Sequence, residues 1–169
     1  MKLSVDSALC RFAVDVRVRW ADTDAVGIAY NGAYLSWFEV ARVEYFRALR
    51  AWQLGASIDD ARVQDQLFDG RETYTLASST VNWLEPSRVD ARLRVATRVS
   101  RVGTHAFDHE FVISRLADGH RVAAGESTQV CVDPTTLRPV ELASARRESL
   151  LGFEQALASG KASFPPRMV

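Results

Sequence analysis

Hydrophobic and polar residues alternate near the start of the chain. The segment FAVDVRVRW, residues 12–20, carries charged side chains on one face and apolar side chains on the other, the latter being Phe12, Val14, Val16, Val18 and Trp20. Strict alternation with a period of two residues is typical of a half-buried strand. The pattern therefore predicts a first strand over residues 12–20.

The hydrophobic period changes to that of a helix over residues 32–52. Apolar side chains recur there at helical spacing, at Tyr34, Trp37, Phe38, Ala41, Tyr45, Ala48, Leu49 and Trp52. Further apolar residues extend this surface around much of the circumference and leave only a polar minority. A helix with so wide an apolar surface is expected to be wrapped by another element.

Four further strands are predicted downstream, over residues 73–84, 89–99, 104–116 and 121–132. Short segments with turn-forming residues, EPSR, RVG and ADGH, separate them and indicate a mostly antiparallel sheet. The order of one strand, one long helix and four strands favours an α+β fold in which a curled five-stranded sheet surrounds one helix. We expect a single domain over residues 1–169.

The remaining segments are less regular. Residues 53–72 are polar and contain SIDDARVQDQL, which could form a short helix with Ser57 and Asp60 as a capping pair. This segment could be a lid or a plain connector. Residues 142–157 favour a modest C-terminal helix. The last eight residues, ASFPPRMV, are expected to fray.

Charge and cysteine content exclude several classes of function. The 169 residues hold 21 basic and 21 acidic side chains, so no net positive field attracts nucleic acid or an anionic membrane. Cys10 and Cys131 lie far apart and have no ligand-like spacing, which argues against a disulfide framework or a zinc site. Asp6 interrupts any signal-peptide core, and no run of residues approaches a membrane span. We expect a cytoplasmic protein that needs no metal or other cofactor.

Candidate chemistry gathers in the loop between the first strand and the long helix. Asp22 and Asp24 stand there with Gly27, Asn31 and Gly32. Two aspartates ahead of a helix could simply form Asx turns, or one could act on a ligand. With Asn31 as the N-cap, the backbone N–H groups of residues 31–33 would be unpaired at the positive end of the helix, where they could hold an oxyanion.

The segment ADTDAVGIAYNGAYLSWFEVAR, residues 21–42, resembles the signature of the 4-hydroxybenzoyl-CoA thioesterase family of hot-dog-fold proteins. The later blocks VNWLEPSRVDARLRVATRVSRVGTHAFDHEFVI and VAAGESTQVCVDPTTLRPV continue the resemblance, which covers residues 12–140. The resemblance implies hydrolysis of an acyl-CoA thioester, with Asp24 at the position of the family's catalytic aspartate, as general base or as nucleophile. It also implies a homodimer or homotetramer with each site between two subunits.

Other residues are weaker candidates. Tyr34 could line the substrate pocket or belong to the core, and Thr104 lies in the segment that, in the family, reaches toward the partner's site. Glu39 and Arg42 are expected to form an ion pair on the helix, although another branch of the fold uses a helix glutamate as its nucleophile. Some of the arginines at 88, 92, 94, 98 and 101 could bind CoA phosphates.

Two alternatives to a thioesterase remain open on the sequence. A hydratase or dehydratase of the same fold would carry a different Asp/His signature, and no histidine lies near Asp24. A non-catalytic acyl-ligand binder would be expected to bring a DNA-binding or partner domain, for which 169 residues leave no room.

Overall fold

The computed structural model describes residues 5–64 and 73–169 and contains one five-stranded sheet. The elements follow the chain in the order β1 Phe12–Arg17, α1 Ala33–Leu54, α2 Ala61–Gln64, β2 Thr73–Trp83, β3 Arg92–Val102, β4 Ala106–Arg115, β5 Arg121–Val132 and α3 Ser144–Ala158. The strand order is β1-β3-β4-β5-β2, and every neighbouring pair is antiparallel. The predicted α+β hot-dog architecture is confirmed.

Helix α1 packs along the inner face of this sheet. Its 22 residues bury an almost continuous apolar stripe, in which Ala41, Tyr45 and Ala48 have no exposed surface. The ring of Phe38 stacks on that of Phe111 in β4, with ring centroids 4.2 Å apart. Opposite Phe38, a Cβ atom on Gly125 of β5 would lie 2.5 Å from the ring, so this close approach of helix and sheet requires glycine.

Helix α3 completes the core beside β3. Phe153 contacts Tyr45 and Trp52 of α1 with ring centroids 5.2 and 5.7 Å apart. Glu154 accepts a hydrogen bond from the Tyr45 hydroxyl at 2.6 Å and another from the backbone N–H of Val99 at 2.7 Å. The C-terminal helix is therefore fixed to the main helix and to the sheet by both apolar and polar contacts.

Replacement of Glu154 by Gln tests this buried carboxylate. Burial raises the pKa of Glu154 above its usual value, although the hydrogen bonds from Tyr45 and Val99 act in the opposite direction. A raised pKa in the folded state means that the contribution of this group to stability is present at low pH and is lost as pH rises through that pKa. Glu154→Gln keeps an oxygen acceptor without the charge. The unfolding free energy of the variant, minus that of the wild type, should therefore increase between pH 4 and pH 8, as urea melts would measure. A difference between the two proteins that does not change with pH would contradict this prediction.

The last eight residues do not fray, contrary to the sequence-based prediction. Asp15 of β1 donates its N–H to the carbonyl of Arg167 at 2.8 Å and accepts from the N–H of Val169 at 3.0 Å. Phe164 packs against the edge of Phe12, and the Arg167 guanidinium lies 2.7 Å from the carboxylate of Asp59. Terminal residues are often poorly ordered, but one aromatic ring, one ion pair and two backbone bonds hold this tail. The outer edge of β1 is thereby covered.

Other differences from the sequence-based prediction are local. Strand β1 ends at Arg17 and is followed by a 3₁₀ turn over Trp20–Asp22, so Trp20 is exposed rather than buried on the strand face. The short helix α2 begins at Ala61 after Asp60, whose Oδ1 accepts from the N–H of Arg62 at 2.9 Å, so Asp60 and not Ser57 caps it. The possible lid over 53–72 lies partly outside the described residues. None of the helices in the described ranges has the length and apolar character needed to cross a membrane.

Candidate active site

The loop between β1 and α1 folds back on itself as a short hairpin. Thr23 and Ala29 pair across it, and Tyr30 donates its N–H to the carbonyl of Asp22 at 3.0 Å. Gly27 closes the tip with a φ of 77°, a left-handed conformation that favours glycine. Ala29 donates to the carbonyl of Ser87 at 2.7 Å, so the hairpin is also tied to the segment between β2 and β3.

Asp22 has a structural role. Its carboxylate accepts from the Arg19 guanidinium at 2.8 and 3.1 Å and from the Arg19 N–H at 2.8 Å. The hydrogen bond from that guanidinium holds the pKa of Asp22 below its usual value. The side chain is buried and fully engaged within the loop, which leaves it no free oxygen to present to a substrate.

Asp24 is held differently. Its Oδ1 accepts from the N–H of Val26 at 2.8 Å and from the N–H of Ile28 at 3.4 Å, which forms the Asx turn that the sequence suggested. Its Oδ2 has no hydrogen-bond partner among the residues that the structure describes. The carboxylate is therefore oriented by backbone groups through one oxygen and is exposed at the other. An Asx turn and a role toward a ligand are compatible at this position.

The start of α1 corrects the prediction for Asn31. Gly32, not Asn31, is the N-cap, and no side chain caps the helix. The N–H of Ala33 donates to the carbonyl of Tyr30 at 2.9 Å, which removes it from the predicted set of donors. Within residues 5–64 and 73–169, the N–H groups of Asn31 and Gly32 have no hydrogen-bond partner. Two of the three predicted donors are thus available at the positive end of a 22-residue helix.

A surface cavity of about 240 Å³ opens beside these donors. It is lined by Ile28, Ala29, Asn31, Tyr34, Trp83, Leu84, Glu85 and Pro86. Tyr34 is buried and packs against Trp37, so it belongs both to the core and to the cavity wall. Asp24 does not line the cavity, but its backbone N–H and its Oδ1 both bind Ile28, which does. The sequence suggests Trp83 as one of the residues that set the depth of the pocket, and the structure adds Leu84, Glu85 and Pro86, which the sequence predicts as a strand end and a turn.

Thr104 lies far from this loop within one chain. Arg17, where β1 ends, pairs with Arg92 at the start of β3, whereas Thr104 follows the end of β3. Since β3 has 11 residues, its two ends are about 33 Å apart. Thr104 also lies in the turn before β4, not in the strand that the sequence predicted. The single chain does not bring Thr104 to the site of Asp24, and its contact with the partner's site stays a prediction.

Some of the other charged candidates, Glu39 and the five arginines, form ion pairs and some do not. Glu39 pairs with Arg42 one turn along α1, as expected. Arg94, Arg98 and Arg101 pair with Asp15, Glu110 and Asp108, respectively. In the described part of the chain, Arg88 and Arg92 form no ion pair, and the backbone of Arg88 pairs with Ile28 of the hairpin. Among the five candidate arginines, these two are therefore the free cations near the loop.

Comparison with protein families gives a match over residues 18–165 to the thioesterase-like superfamily. The matched region includes the hairpin, all of α1 and all of α3. The chain belongs to the thioesterase-like superfamily. The predictions of the family and of a thioesterase are thereby confirmed.

Curated relatives and solved structures agree with this membership. The chain is 28% identical over 129 residues to an acyl-CoA thioester hydrolase from Escherichia coli, which covers 76% of this chain and 87% of that protein. It is 29% identical over 131 residues to an acyl-CoA thioesterase from Haemophilus influenzae, with 76% and 86% covered.

Two solved structures share the fold of this superfamily member. A thioesterase from Thermus thermophilus, complexed with coenzyme A and zinc, aligns with a TM-score of 0.68 at 23% identity over 86% of this chain and 95% of that one. A DHNA-CoA thioesterase from Staphylococcus aureus aligns with a TM-score of 0.68 at 22% identity, over 93% and 97%. At these identities the two likenesses concern the fold alone.

Proposed function

We propose that this chain hydrolyses acyl-CoA thioesters to a carboxylic acid and free CoA, with Asp24 as the catalytic residue. The observation that carries the proposal is that one loop holds both an oriented carboxylate and backbone N–H groups that have no partner in the described residues. Asp24 has one oxygen bound by backbone N–H groups and one oxygen exposed, and the helix that follows begins with two free N–H groups. The similarity to an acyl-CoA thioester hydrolase from Escherichia coli and to an acyl-CoA thioesterase from Haemophilus influenzae supports the same reaction.

The chemistry of a thioester requires two things that this loop offers. A water molecule that attacks the carbonyl carbon must lose a proton to a base, and the carbonyl oxygen must be stabilised as it becomes negative. In the proposed reaction Asp24 takes that proton, and the N–H groups of Asn31 and Gly32 donate to the oxygen. The tetrahedral intermediate then collapses, the C–S bond breaks, and CoA leaves as the thiolate, which takes the proton from Asp24 and restores its carboxylate.

A nucleophilic role for Asp24 would use the same groups. Its Oδ2 would attack the carbonyl carbon and displace CoA, and water would hydrolyse the resulting anhydride to return the carboxylate and release the acid. Both routes give the same products and need the negative charge on Asp24. The site geometry fits both.

We infer that Arg88 and Arg92 contact the phosphates of CoA. They are the arginines in the predicted set without a carboxylate partner in the described residues, and guanidinium groups bind phosphate through two donors at once. The pairing of Arg88 with Ile28 joins this cation directly to the wall of the cavity beside Asn31. A CoA bound there would direct its thioester toward the start of α1.

Product analysis by mass spectrometry separates this function from the two alternatives. Incubation of the protein with an enoyl-CoA should give the free acid and free CoA. An intact thioester that is heavier by one water would indicate a hydratase, and unchanged enoyl-CoA bound to the protein would indicate a binder. Either of these results would contradict the proposed hydrolysis.

The proposed assembly is a homo-oligomer formed through β2. The C-terminal residues cover the outer edge of β1, whereas none of the described residues pairs with the outer edge of β2. None of the residues of β2 is fully buried, and the side chains of Leu76 and Trp83 are 51% and 49% exposed. An open edge with exposed apolar side chains is a template for pairing with a second copy.

Ser78→Lys in the middle of β2 tests this assembly. Two lysines brought together across a paired edge repel each other, so the variant should shift toward monomer and lose activity. Ala158→Lys adds the same charge at the exposed end of α3 and should keep the wild-type mass by light scattering. A wild-type protein that is monomeric at micromolar concentration and active would contradict the proposal.

A further inference from the structure

The C-terminal residues pair with the outer edge of β1 as a very short parallel strand. Asp15 donates its N–H to the carbonyl of Arg167 at 2.8 Å and accepts from the N–H of Val169 at 3.0 Å. These two bonds place Asp15 opposite Met168 in parallel orientation, whereas all five strands of the sheet pair antiparallel. The tail therefore extends the sheet by its backbone and does not merely lie across it.

The pairing covers the backbone groups that β1 directs away from the sheet. Val18, the residue after β1, donates to and accepts from residues 90–91, so its backbone groups face β3. Because successive residues of a strand direct these groups to opposite sides, the outward N–H and C=O groups belong to Ala13, Asp15 and Arg17. Such a row on an edge strand is a template for another chain. The tail occupies the central residue of this row.

The tail does not present a new template in place of the one that it covers. Since Arg167 and Val169 direct their backbone groups toward Asp15, the N–H of Met168 points away from β1. The two residues that precede Arg167 are prolines and have no backbone N–H. Residues 165–169 thus offer a single outward donor. Short edge segments that contain proline resist pairing with a further chain.

Two side chains fix the tail in this position. The ring of Phe164 contacts those of Phe12 and Phe153, with centroids 6.4 and 5.8 Å apart, and the Arg167 guanidinium lies 2.7 Å from the carboxylate of Asp59. A cavity of about 260 Å³ remains between these contacts, the connector after α1 and β1. Residues 165–169 therefore do not fill the core, and their removal would leave the contacts of Phe164 in place.

We propose that residues 165–169 are an edge cap, and that the β1 edge beneath them is a surface for pairing with β1 of a second copy of this chain. Antiparallel pairing of two identical strands has two-fold symmetry, so the same edge serves both copies. In a dimer formed through β2, a β1 edge lies at each end of the joined sheet. Pairing at both ends would extend the sheet without closure, and the cap prevents it.

Deletion of residues 165–169 tests the cap by light scattering. With rising protein concentration, the mean mass of the shortened protein should reach at least about twice that of the wild type, because two copies or two dimers join at each β1 contact. Arg167→Ala removes the ion pair with Asp59 but keeps the backbone bonds, so this control should keep the wild-type mass. A shortened protein with the wild-type mass at every concentration would overturn the cap. A monomeric or inactive wild type would contradict the proposed assembly or function but would not change this comparison.

Ala13→Pro in the shortened chain tests whether the copies join through β1. Proline removes one outward N–H from this edge and disfavours pairing there, so the mass should return to that of the wild type. In the 169-residue chain, the same substitution leaves both bonds between Asp15 and the tail in place and should not change the mass. Growth that continues in the shortened Ala13→Pro protein would overturn pairing through β1.

Amide hydrogen exchange at Asp15 provides the same test without a substitution in β1. In the wild type this N–H is bonded to the carbonyl of Arg167 and should be protected. In the shortened protein it should exchange rapidly at low concentration and regain protection as the mass rises. Protection that persists at low concentration without the tail would overturn the cap. Protection that does not return as the mass rises would overturn β1 as the surface on which the copies meet.

Discussion

Asp24→Asn should lower kcat for acyl-CoA hydrolysis by about 10²–10⁴, the contribution expected of a general base. Asparagine keeps the size of the side chain, and its oxygen can still accept from the N–H groups of Val26 and Ile28, so the Asx turn should persist. The negative charge that is needed to take a proton or to attack the carbonyl is lost. KM should change much less, because the carboxylate acts mainly in the transition state. Steady-state thiol release would measure both constants.

Asp22→Asn is the matched control for that substitution. Asp22 pairs with Arg19 and has no oxygen left for a substrate, so the variant should lose stability and keep most of its kcat. Equal losses of kcat at the two positions would indicate a general effect on the loop. An active Asp24→Asn enzyme would move the catalytic role to Glu39, whose carboxylate lies on α1 beside Arg42.

Phe38→Ala should reduce the free energy of unfolding by about 3–5 kcal/mol, the usual cost of removing a core aromatic side chain. Phe38 is 3% exposed, stacks on Phe111, and fills the space that Gly125 leaves open. Gly125, which lies opposite, has no side chain that could fill the cavity left by alanine. Denaturant melts at constant protein concentration would measure the loss.

Leu151→Ala provides the comparison for Phe38→Ala. Leu151 is 54% exposed on α3, so its truncation removes little buried surface and should cost less than about 1 kcal/mol. A loss below about 1 kcal/mol for Phe38→Ala as well would mean that the sheet does not enclose α1.

The sequence predicts most of the sheet and both long helices because their hydrophobic periods are unambiguous. For β5, the predicted range 121–132 coincides with the observed strand, and α1 differs from its prediction by two residues or fewer at each end. Each of these elements buries one face against the same core, so local period and tertiary packing favour the same structure. The sequence-based prediction fails where they diverge, as at Trp20, where a 3₁₀ turn ends the alternation.

The parts of the site that the sequence did not predict depend on contacts between distant segments. Asn31 looks like an N-cap by residue type, but the bond from Ala33 to the Tyr30 carbonyl moves the helix start to Gly32. The docking of the tail on β1 depends on partners about 150 residues earlier in the chain. The sequence does carry a signal for two buried polar residues of β5, because Ser127 and Gln129 fall on the apolar face of an otherwise regular strand. Polar residues at such positions indicate either a buried network or a ligand contact.

The separation of Thr104 from Asp24 has a physical reason that one sequence does not reveal. In the assembly that we propose, a site shared between two copies would combine residues from opposite ends of the sheet, and the second copy would add at the open edge of β2. The arginine set was reduced in a similar way, since ion pairs that occupy Arg94, Arg98 and Arg101 are formed across strands. Pairing of charges across a sheet depends on strand register, which the spacing within one strand does not fix.

The most direct test of the central claim is the rate of free-thiol release by the wild-type protein from a panel of aliphatic and aromatic acyl-CoAs. We expect kcat/KM of about 10⁴ M⁻¹s⁻¹ or more for at least one member of the panel, within the range of ordinary enzymes. We also expect the Asp24→Asn variant to lose that activity while it keeps its fold and its oligomeric state. Thiol release no faster than spontaneous hydrolysis for every acyl-CoA, from a folded oligomer, would contradict the assignment of this chain as an acyl-CoA thioesterase with its site at the start of α1.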